Sequence, residues 1–182
     1  MAKQIKKECI MGKNGVATWS DPYVKLSIPQ TVSDGKIQVV HWTRIQGNGV
    51  FSWKARIVNP GSAKTFFLGF AEYLPAQSAK GGIFVKVEGT VYKFETIRAG
   101  GTLKATELSG QDWTIERTFT IARTQGSCAL FVDGALVATH HADDIPDNDL
   151  IRIFEILHTG AVANLSEIYC KDFGESEILE EM

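Results

Sequence analysis

Short segments in which apolar and polar residues alternate, separated by turn residues, constrain the fold of this chain most. Residues 50–58 read VFSWKARIV, which places Phe51 and Trp53 on one face and Lys54 and Arg56 on the other. A period of two is typical of a half-buried β-strand. Further segments of this kind follow at residues 65–70, 83–87, 90–96, 102–106, 113–124, 127–132, 135–140, 150–157 and 164–170.

The clearest turn lies in residues 130–140, which read LFVDGALVATH. Asp133 and Gly134 accept the positive φ angles that a two-residue hairpin loop requires. We therefore predict a tight antiparallel hairpin in which Asp133 and Gly134 supply the turn. We expect Phe131 and Leu136 to face the core.

Many short strands with turn signals about every ten residues are the pattern of an antiparallel sandwich or barrel. No internal repeat or linker divides the 182 residues, and this length suffices for a full core. The sequence therefore predicts an all-β fold, a two-sheet antiparallel β-sandwich (jelly roll), with residues 1–182 forming a single domain and little helix.

Charge and hydropathy narrow the list of partners. The formal net charge is −2, and the only basic cluster is Lys3, Lys6 and Lys7, so nucleic acid is not expected as a partner. No apolar run approaches the roughly 18 residues of a membrane span, so membrane insertion is not expected either. The first residues lack the apolar region of a secretory signal. If residue 1 is the native start, the cytoplasm and a virion or other assembly stay open as locations; the third alternative is a leader that lies outside this sequence.

Cysteine and histidine give no cofactor or metal motif. Cys9, Cys128 and Cys170 cannot all pair within one chain, and their spacing matches no zinc site, so we expect buried free thiols. His140-His141 and the nearby Asp143-Asp144 resemble a metal cluster, but adjacent residues of an extended chain point to opposite faces. We expect exposed residues at a hairpin end and predict no cofactor.

The order of these segments resembles the concanavalin A-like lectin and glucanase superfamily, which includes laminin-G-like modules and laminarinase-type glycosidases. Trp113 precedes Asp133 of the FVDGALV hairpin by 20 residues, and ANLSEIYCKDF follows as a last strand. The likeness is strongest over residues 51–173. It implies a jelly roll whose last strand pairs near the N-terminal strand, and it leaves a structural calcium ion near Asp133 as an alternative.

Laminarinase-type relatives carry a Glu-x-Asp-x-x-Glu strand that holds both catalytic carboxylates, and this chain has no such motif. A carboxylate pair on different strands stays open, with Glu95 and Glu155 as the pair to test. The alternative is that each glutamate forms a surface ion pair with a lysine or arginine. The sequence therefore favours a protein that is not an enzyme.

Alginate-lyase-type relatives suggest a second catalytic alternative. Arg neutralises a uronate carboxylate in those enzymes and Tyr shuttles the proton. The matching residue types are Tyr92, Lys93 and Arg98 in VYKFETIR, with Arg56 and His158 on other strands. The relatives' Tyr-Lys-x-Gly signature has glycine where Glu95 stands, and no Gln-x-His occurs. An ordinary polar sheet face explains the same residues.

Carbohydrate binding is the function that the sequence favours most. Flat aromatic rings stack on the apolar faces of sugars, and a few polar groups fix their orientation. The candidate rings are Trp19, Trp42, Tyr73 and Tyr92, while Trp53 and Trp113 are assigned to the core. The polar candidates, expected to line one sheet face, are Lys54, Arg56, Glu95, Arg152 and His158.

Two alternatives stay open beside a lectin-like module. The first is a structural protein that assembles with itself into a coat, filament or virion, because jelly rolls build such assemblies. The second is a polysaccharide hydrolase or lyase with an atypical site.

Overall fold

The structure, a computed structural model, describes residues 10–20, 23–28, 34–45, 48–58, 64–71, 81–98, 101–146, 150–159 and 166–176. Within these ranges the chain forms fourteen β-strands and one 3-10 turn at Ala142–Asp144. The strands are β1 (Ile10–Lys13), β2 (Val16–Ser20), β3 (Tyr23–Ile28), β4 (Asp34–Ile45), β5 (Gly49–Val58), β6 (Lys64–Ala71), β7 (Gly81–Glu88), β8 (Val91–Arg98), β9 (Gly101–Glu107), β10 (Arg117–Arg123), β11 (Ser127–Val132), β12 (Ala135–His141), β13 (Leu150–Thr159) and β14 (Ser166–Ser176).

The described strands form two seven-stranded antiparallel sheets. Sheet I has the order β1-β4-β13-β6-β7-β8-β9, and sheet II has the order β12-β11-β10-β5-β14-β3-β2. The predicted all-β sandwich is therefore confirmed. Strand β14 pairs with both β5 and β3, as expected for a last strand that returns to the N-terminal region. Within the described ranges, no helix is long and apolar enough to span a membrane.

The core lies between the two sheets and is rich in aromatic rings. In β5 the inward positions Phe51, Trp53, Ala55 and Ile57 are buried, as the alternation predicts. Each large apolar side chain buried in this way contributes about 1.5 to 3 kcal/mol. Six rings follow one another through the interior, and we call them the aromatic column: Phe70, Phe51, Trp53, Phe119, Trp113 and Tyr92.

The hairpin of β11 and β12 has the predicted turn but not the predicted inward residues. Asp133 has φ 50° and Gly134 has φ 82°, which confirms the tight turn. Leu130 and Val132 are buried, whereas Phe131 is only half-buried and Leu136 is 59% exposed. The expectation that Phe131 and Leu136 face the core is therefore wrong. Leu130, Phe131 and Val132 are all apolar, so alternation alone could not fix which of them points inward.

Strands β1 to β4 were not predicted from the pattern. Strand β4 is twelve residues long, and its pairing with β13 contains an irregularity between Ile151 and Arg152. Between these two pairs, Trp42 and Thr43 of β4 have no partner in β13, so the strand bulges there and its pattern is not that of a simple paired strand. Strand β10 begins at Arg117 rather than at residue 113, because Asp112 Oδ1 accepts hydrogen bonds from Thr114 N at 2.9 Å and Thr114 Oγ1 at 2.6 Å in a local turn.

Candidate functional site

The face of sheet I that points away from the core carries polar and aromatic side chains on adjacent strands. In β7 the side chains of Ile83, Val85 and Val87 are buried in the core, so those of Phe84 and Lys86 lie on the opposite side. Phe84 pairs with Glu95 of β8, and Lys86 pairs with Lys93. We call this side the outer face of sheet I.

Glu95 is a carboxylate with only 5% of its surface exposed on this outer face. Thr102 Oγ1 donates a hydrogen bond to Glu95 Oε1 at 2.7 Å, and Lys86 Nζ lies 3.7 Å from Glu95 Oε2. A buried charge is costly unless it is paired, so these contacts keep the carboxylate in place. The register of β8 and β9 shifts between Thr96 and Ile97, which brings Thr102 opposite Ile97 and onto the face of Glu95.

Lys86 connects Glu95 to a second carboxylate. Its Nζ lies 2.8 Å from Glu88 Oε1, and Lys93 Nζ lies 3.9 Å from Glu88 Oε2. Two lysines and two glutamates thus alternate across β7 and β8. Ion pairs that stay partly in contact with water contribute little stability, so this arrangement mainly positions donors and acceptors.

An apolar cluster adjoins these charges on the outer face. The rings of Phe67 and Phe84 meet edge to face with centroids 5.1 Å apart, and Ile97 packs against them. Lys86 Nζ lies 6.0 Å from the centroid of Phe67. Both rings are almost fully buried, so neither offers an open stacking surface.

Lys54 and Arg56 lie on the other sheet. They belong to β5, and the Arg56 guanidinium lies 4.0 Å from the centroid of Tyr169 in β14. The Tyr169 hydroxyl donates a hydrogen bond to Glu167, which raises the pKa of Tyr169. Glu95 lies on sheet I and these cations on sheet II. The structure therefore does not bring the predicted polar residues onto one face.

Tyr92 lies at an end of the aromatic column rather than on an outer face. Its ring stacks on Trp113 with centroids 4.9 Å apart, and burial raises its pKa. Trp53 and Trp113 are buried, as predicted.

For four of the other predicted site residues the structure describes only the backbone, and for Tyr73 it describes nothing. Trp19 pairs with Val24, Arg152 pairs with Phe70, and His158 pairs with Lys64. Trp42 belongs to β4. The side chains of these four residues and the whole of Tyr73 lie outside the described part of the chain.

The two glutamates proposed as a catalytic pair lie far apart along sheet I. Glu155 pairs with Phe67 of β6, while Glu95 pairs with Phe84 of β7. Strands β13 and β8 are therefore three spacings apart, about 14 Å at the backbone. The paired carboxylates of glycosidases lie about 5 to 9.5 Å apart.

His140 is a buried core residue, so the expectation of an exposed position is wrong for it, although His141 is exposed. Its Nδ1 lies 3.0 Å from Thr96 Oγ1, and its Nε2 lies 3.0 Å from Thr106 Oγ1. Burial lowers the pKa of His140 to about 4, so the ring is neutral at physiological pH. In the described ranges no group of three or more His, Cys, Asp and Glu side chains is placed to hold a metal ion.

Cys128 and Cys170 are buried free thiols, as predicted, while Cys9 lies outside the described residues. Burial raises the pKa of Cys128 to about 12 and also raises the pKa of Cys170. A thiol that stays protonated is a poor nucleophile, so neither side chain is suited to catalysis.

Comparison with known proteins gives structural likeness but no sequence family. No protein-family model matches the chain. No curated protein matches it either. An endo-β-1,3-glucanase from Pyrococcus furiosus superposes with a TM-score of 0.68 at 9% identity, covering 96% of this chain and 91% of that one.

Two further structures extend this likeness. The laminarinase catalytic domain from Thermotoga petrophila gives a TM-score of 0.65 at 13% identity over 90% of this chain and 81% of that one. A structure of botulinum neurotoxin type C, whose cell entry depends on interaction with two ganglioside molecules, gives 0.62 at 14% over 93% of this chain and 43% of that one. At such identities the likeness establishes the fold alone. The chain has the concanavalin A-like jelly-roll fold that laminarinase catalytic domains also have.

Proposed function

We propose that this protein is a non-catalytic carbohydrate-binding module that binds glycan along the outer face of sheet I. The observation that carries the proposal is the Glu95 carboxylate, which is nearly buried on a face outside the core and held by Thr102 and Lys86. A carboxylate in this setting is a fixed acceptor for sugar hydroxyls. The structural neighbours that act on glucans or interact with gangliosides support a glycan as the ligand class.

The charges of the outer face match the needs of a hydroxyl-rich ligand. A sugar hydroxyl both donates and accepts hydrogen bonds, so it can bridge a carboxylate and an ammonium group. Lys86 and Lys93 supply donors, and Glu88 and Glu95 supply acceptors, on neighbouring strands. Because the charges balance, the proposed ligand is a neutral glycan.

The outward positions of β7 are the reason for a binding role rather than hydrolysis. They hold Phe84, Lys86 and Glu88, and the Glu-x-Asp-x-x-Glu motif is absent from the chain.

A second candidate function, glycan hydrolysis at an atypical site, is favoured by one observation. Glu88 and Glu95 both form ion pairs with Lys86, so two carboxylates converge on one point.

The test is binding of a glycan panel that includes β-1,3-glucan, mixed-linkage glucan and ganglioside oligosaccharides. We expect Lys86→Ala and Glu95→Gln to weaken binding at least tenfold, because each removes a group that contacts hydroxyls. Arg56→Ala, on sheet II, is the matched control and should bind as the wild type does. We also expect no new reducing ends from any glucan.

Two results would contradict this proposal and favour another function. Glucan turnover that disappears in Glu95→Gln would establish a hydrolase. Absence of any glycan binding, together with a mass that rises with protein concentration, would favour the self-assembly alternative.

Trp19, Trp42, Tyr73, Arg152 and His158 stay proposed contributors to the same function. Trp42→Ala is a further variant to test against the glycan panel. A sugar that stacks on an aromatic ring binds more weakly when that ring is removed. Unchanged binding by Trp42→Ala would remove this ring from the proposed site.

A further inference from the structure

The side of sheet II that points away from the core carries a group of cations and tyrosines. Val24 of β3, Ala55 of β5 and Cys170 of β14 are buried in the core, so the residues on either side of each point outward. These outward residues pair directly with one another across the three strands. We call this side the outer face of sheet II, and its cations and tyrosines are Tyr23, Lys25, Lys54, Arg56, Tyr169 and Lys171.

Two carboxylates on this face are held by two of the lysines. Lys25 Nζ lies 3.1 Å from Glu167 Oε1. Lys171 Nζ lies 3.0 Å from Glu116 Oε2, and the Tyr23 hydroxyl donates a hydrogen bond to the same oxygen at 2.6 Å. Each carboxylate therefore balances the charge of one lysine.

Arg56 and Lys54 add positive charge that these two carboxylates do not balance. The Arg56 guanidinium lies 4.0 Å from the centroid of Tyr169, and this exposed side chain forms no ion pair among the described residues. The contact with the ring restrains the guanidinium, while its N–H donors still face water. The described side chains of this face thus carry an excess of positive charge, although the whole chain has a formal net charge of −2.

The arrangement of the tyrosines disfavours a single-stranded nucleic acid as the ligand. Bases bind to such faces by stacking on open aromatic rings. Here Arg56 lies over the ring of Tyr169, and Lys171 Nζ lies 4.6 Å from the centroid of Tyr23. A cation therefore already occupies a face of each ring.

The carboxylates among the cations decide between an acidic peptide and an acidic sugar. Glu116 is 32% exposed, so a ligand on this face meets a carboxylate next to the cations. An ionised aspartate or glutamate side chain only accepts hydrogen bonds and is repelled by Glu116. A uronate sugar carries hydroxyl donors beside its carboxylate, so it complements the cations and Glu116 together.

We propose that the outer face of sheet II binds an acidic polysaccharide, whose carboxylates contact Lys54 and Arg56 and whose hydroxyls donate to Glu116. Lys54 and Arg56 are two residues apart on one side of β5, about 7 Å along the strand, so a chain with several carboxylates reaches both at once. A ligand with one acidic group meets one water-exposed cation and gains little. Arg56→Ala therefore stays the control for the oligosaccharides of the glycan panel.

The test measures binding of an oligogalacturonate by isothermal titration calorimetry at low ionic strength. Poly-L-glutamate with a matched number of carboxylates is the comparison ligand. We expect the oligogalacturonate to bind more tightly than poly-L-glutamate, and its binding to weaken as salt is added, because salt screens exposed charges. The site lies on the opposite sheet from Glu95, so the result does not depend on the function proposed for sheet I.

Variants on the two sheets locate the binding site. We expect Arg56→Ala and Lys54→Ala each to weaken oligogalacturonate binding about two- to fivefold, as loss of an exposed charge pair does, and the double variant to lose more than either. Arg56→Lys keeps the charge but loses the planar donor fork, so its affinity should lie between those of the wild type and Arg56→Ala. Lys86→Ala removes the same charge from sheet I and should bind as the wild type does.

Three results would overturn the proposal. The first is no binding of the oligogalacturonate at low ionic strength, and the second is unchanged affinity in the double variant. The third is poly-L-glutamate binding as tightly as the oligogalacturonate, which would make an acidic peptide the ligand. An equal loss in Lys86→Ala and Arg56→Ala would also contradict it, because net charge rather than this face would then control binding.

Discussion

The imidazole of His140 links the two sheets through polar contacts inside the sandwich. His140 belongs to β12 of sheet II, whereas its partners Thr96 and Thr106 belong to β8 and β9 of sheet I. Its ring also lies 4.7 Å from the ring centroid of Phe94. A neutral imidazole satisfies both hydroxyls, but a protonated ring would place a charge in the core.

Stability should therefore fall in acid. Because the pKa of His140 is about 4 in the folded protein and 6.5 in its ordinary state, only the unfolded chain takes up a proton between these values. We expect the free energy of unfolding to drop as pH falls from about 6.5 to 4, by at most about 3 kcal/mol, and this loss to level off below pH 4. Urea unfolding across this pH range measures the effect. His140→Gln should abolish this component, and the same pH slope in that variant would show that another group is responsible.

The two described cysteines should be chemically inert in the folded protein. We expect Cys128 and Cys170 not to react with a thiol reagent in the native protein, because both are buried and protonated. A Cys9→Ser variant isolates these two thiols. It should show no fast reaction under native conditions and two reactive thiols in guanidinium chloride. Fast reaction of the native variant would contradict the burial of at least one of them.

Strand β6 depends on Gly69, where backbone and packing requirements coincide. Its φ is +153°, and a Cβ atom there would lie 2.5 Å from Ile83 O and 2.8 Å from Phe84 Cα in the neighbouring strand. Both atoms belong to the backbone of β7, so no side-chain movement can relieve the clash. A side chain at this position would push β7 away, and β7 carries Lys86.

We expect Gly69→Ala to destabilise the protein by more than about 2 kcal/mol, because it combines overpacking with an unfavourable backbone angle. Gly126→Ala is the matched control, since nothing lies within 4 Å of its Cβ position. Urea unfolding of both variants measures the difference. Similar stabilities would mean that β7 can move without cost.

Local chemistry explains which parts of these elements the sequence could predict. The Asp133-Gly134 turn follows from two residues alone, and the Asp133 carboxylate further accepts hydrogen bonds from Thr118 N at 2.8 Å and Arg117 at 2.9 Å. Which side chains of β11 point into the core depends instead on the pairing of this strand with β10. The sequence of β8 alone predicts Glu95 as a site residue. The contacts of Lys86 and Thr102 with Glu95 follow only from strand order and a register shift.

The fold is closed by strands that are distant in sequence. Strand β14 lies between β5 and β3, so Ile168 pairs with Ile57 and with Leu26. The alternation pattern predicted two antiparallel sheets, but strand order depends on such distant pairs, which no local pattern encodes. Pairing of this kind also makes folding slow, because long loops must close first.

Removal of residues 166–182 should prevent folding, because β3 and β5 would lose the strand that joins them and the core would lose Ile168 and Cys170. We expect the truncated chain to lack the near-ultraviolet circular dichroism and the cooperative urea transition of the full chain. A cooperative transition in the truncated chain would mean that β3 and β5 can be held together without β14.

The aromatic column gives the protein a built-in optical signal. Trp53 and Trp113 both stack on Phe119, with centroids 5.4 and 5.0 Å apart. Phe70 and Tyr92, at the two ends of the column, come from sheet I, whereas Phe51, Trp53 and Phe119 come from sheet II. Indoles held in such an apolar stack fluoresce at shorter wavelengths than indoles in water, and they lose this shift when the stack opens. The emission colour of these two tryptophans therefore reports directly on whether the two sheets are in contact.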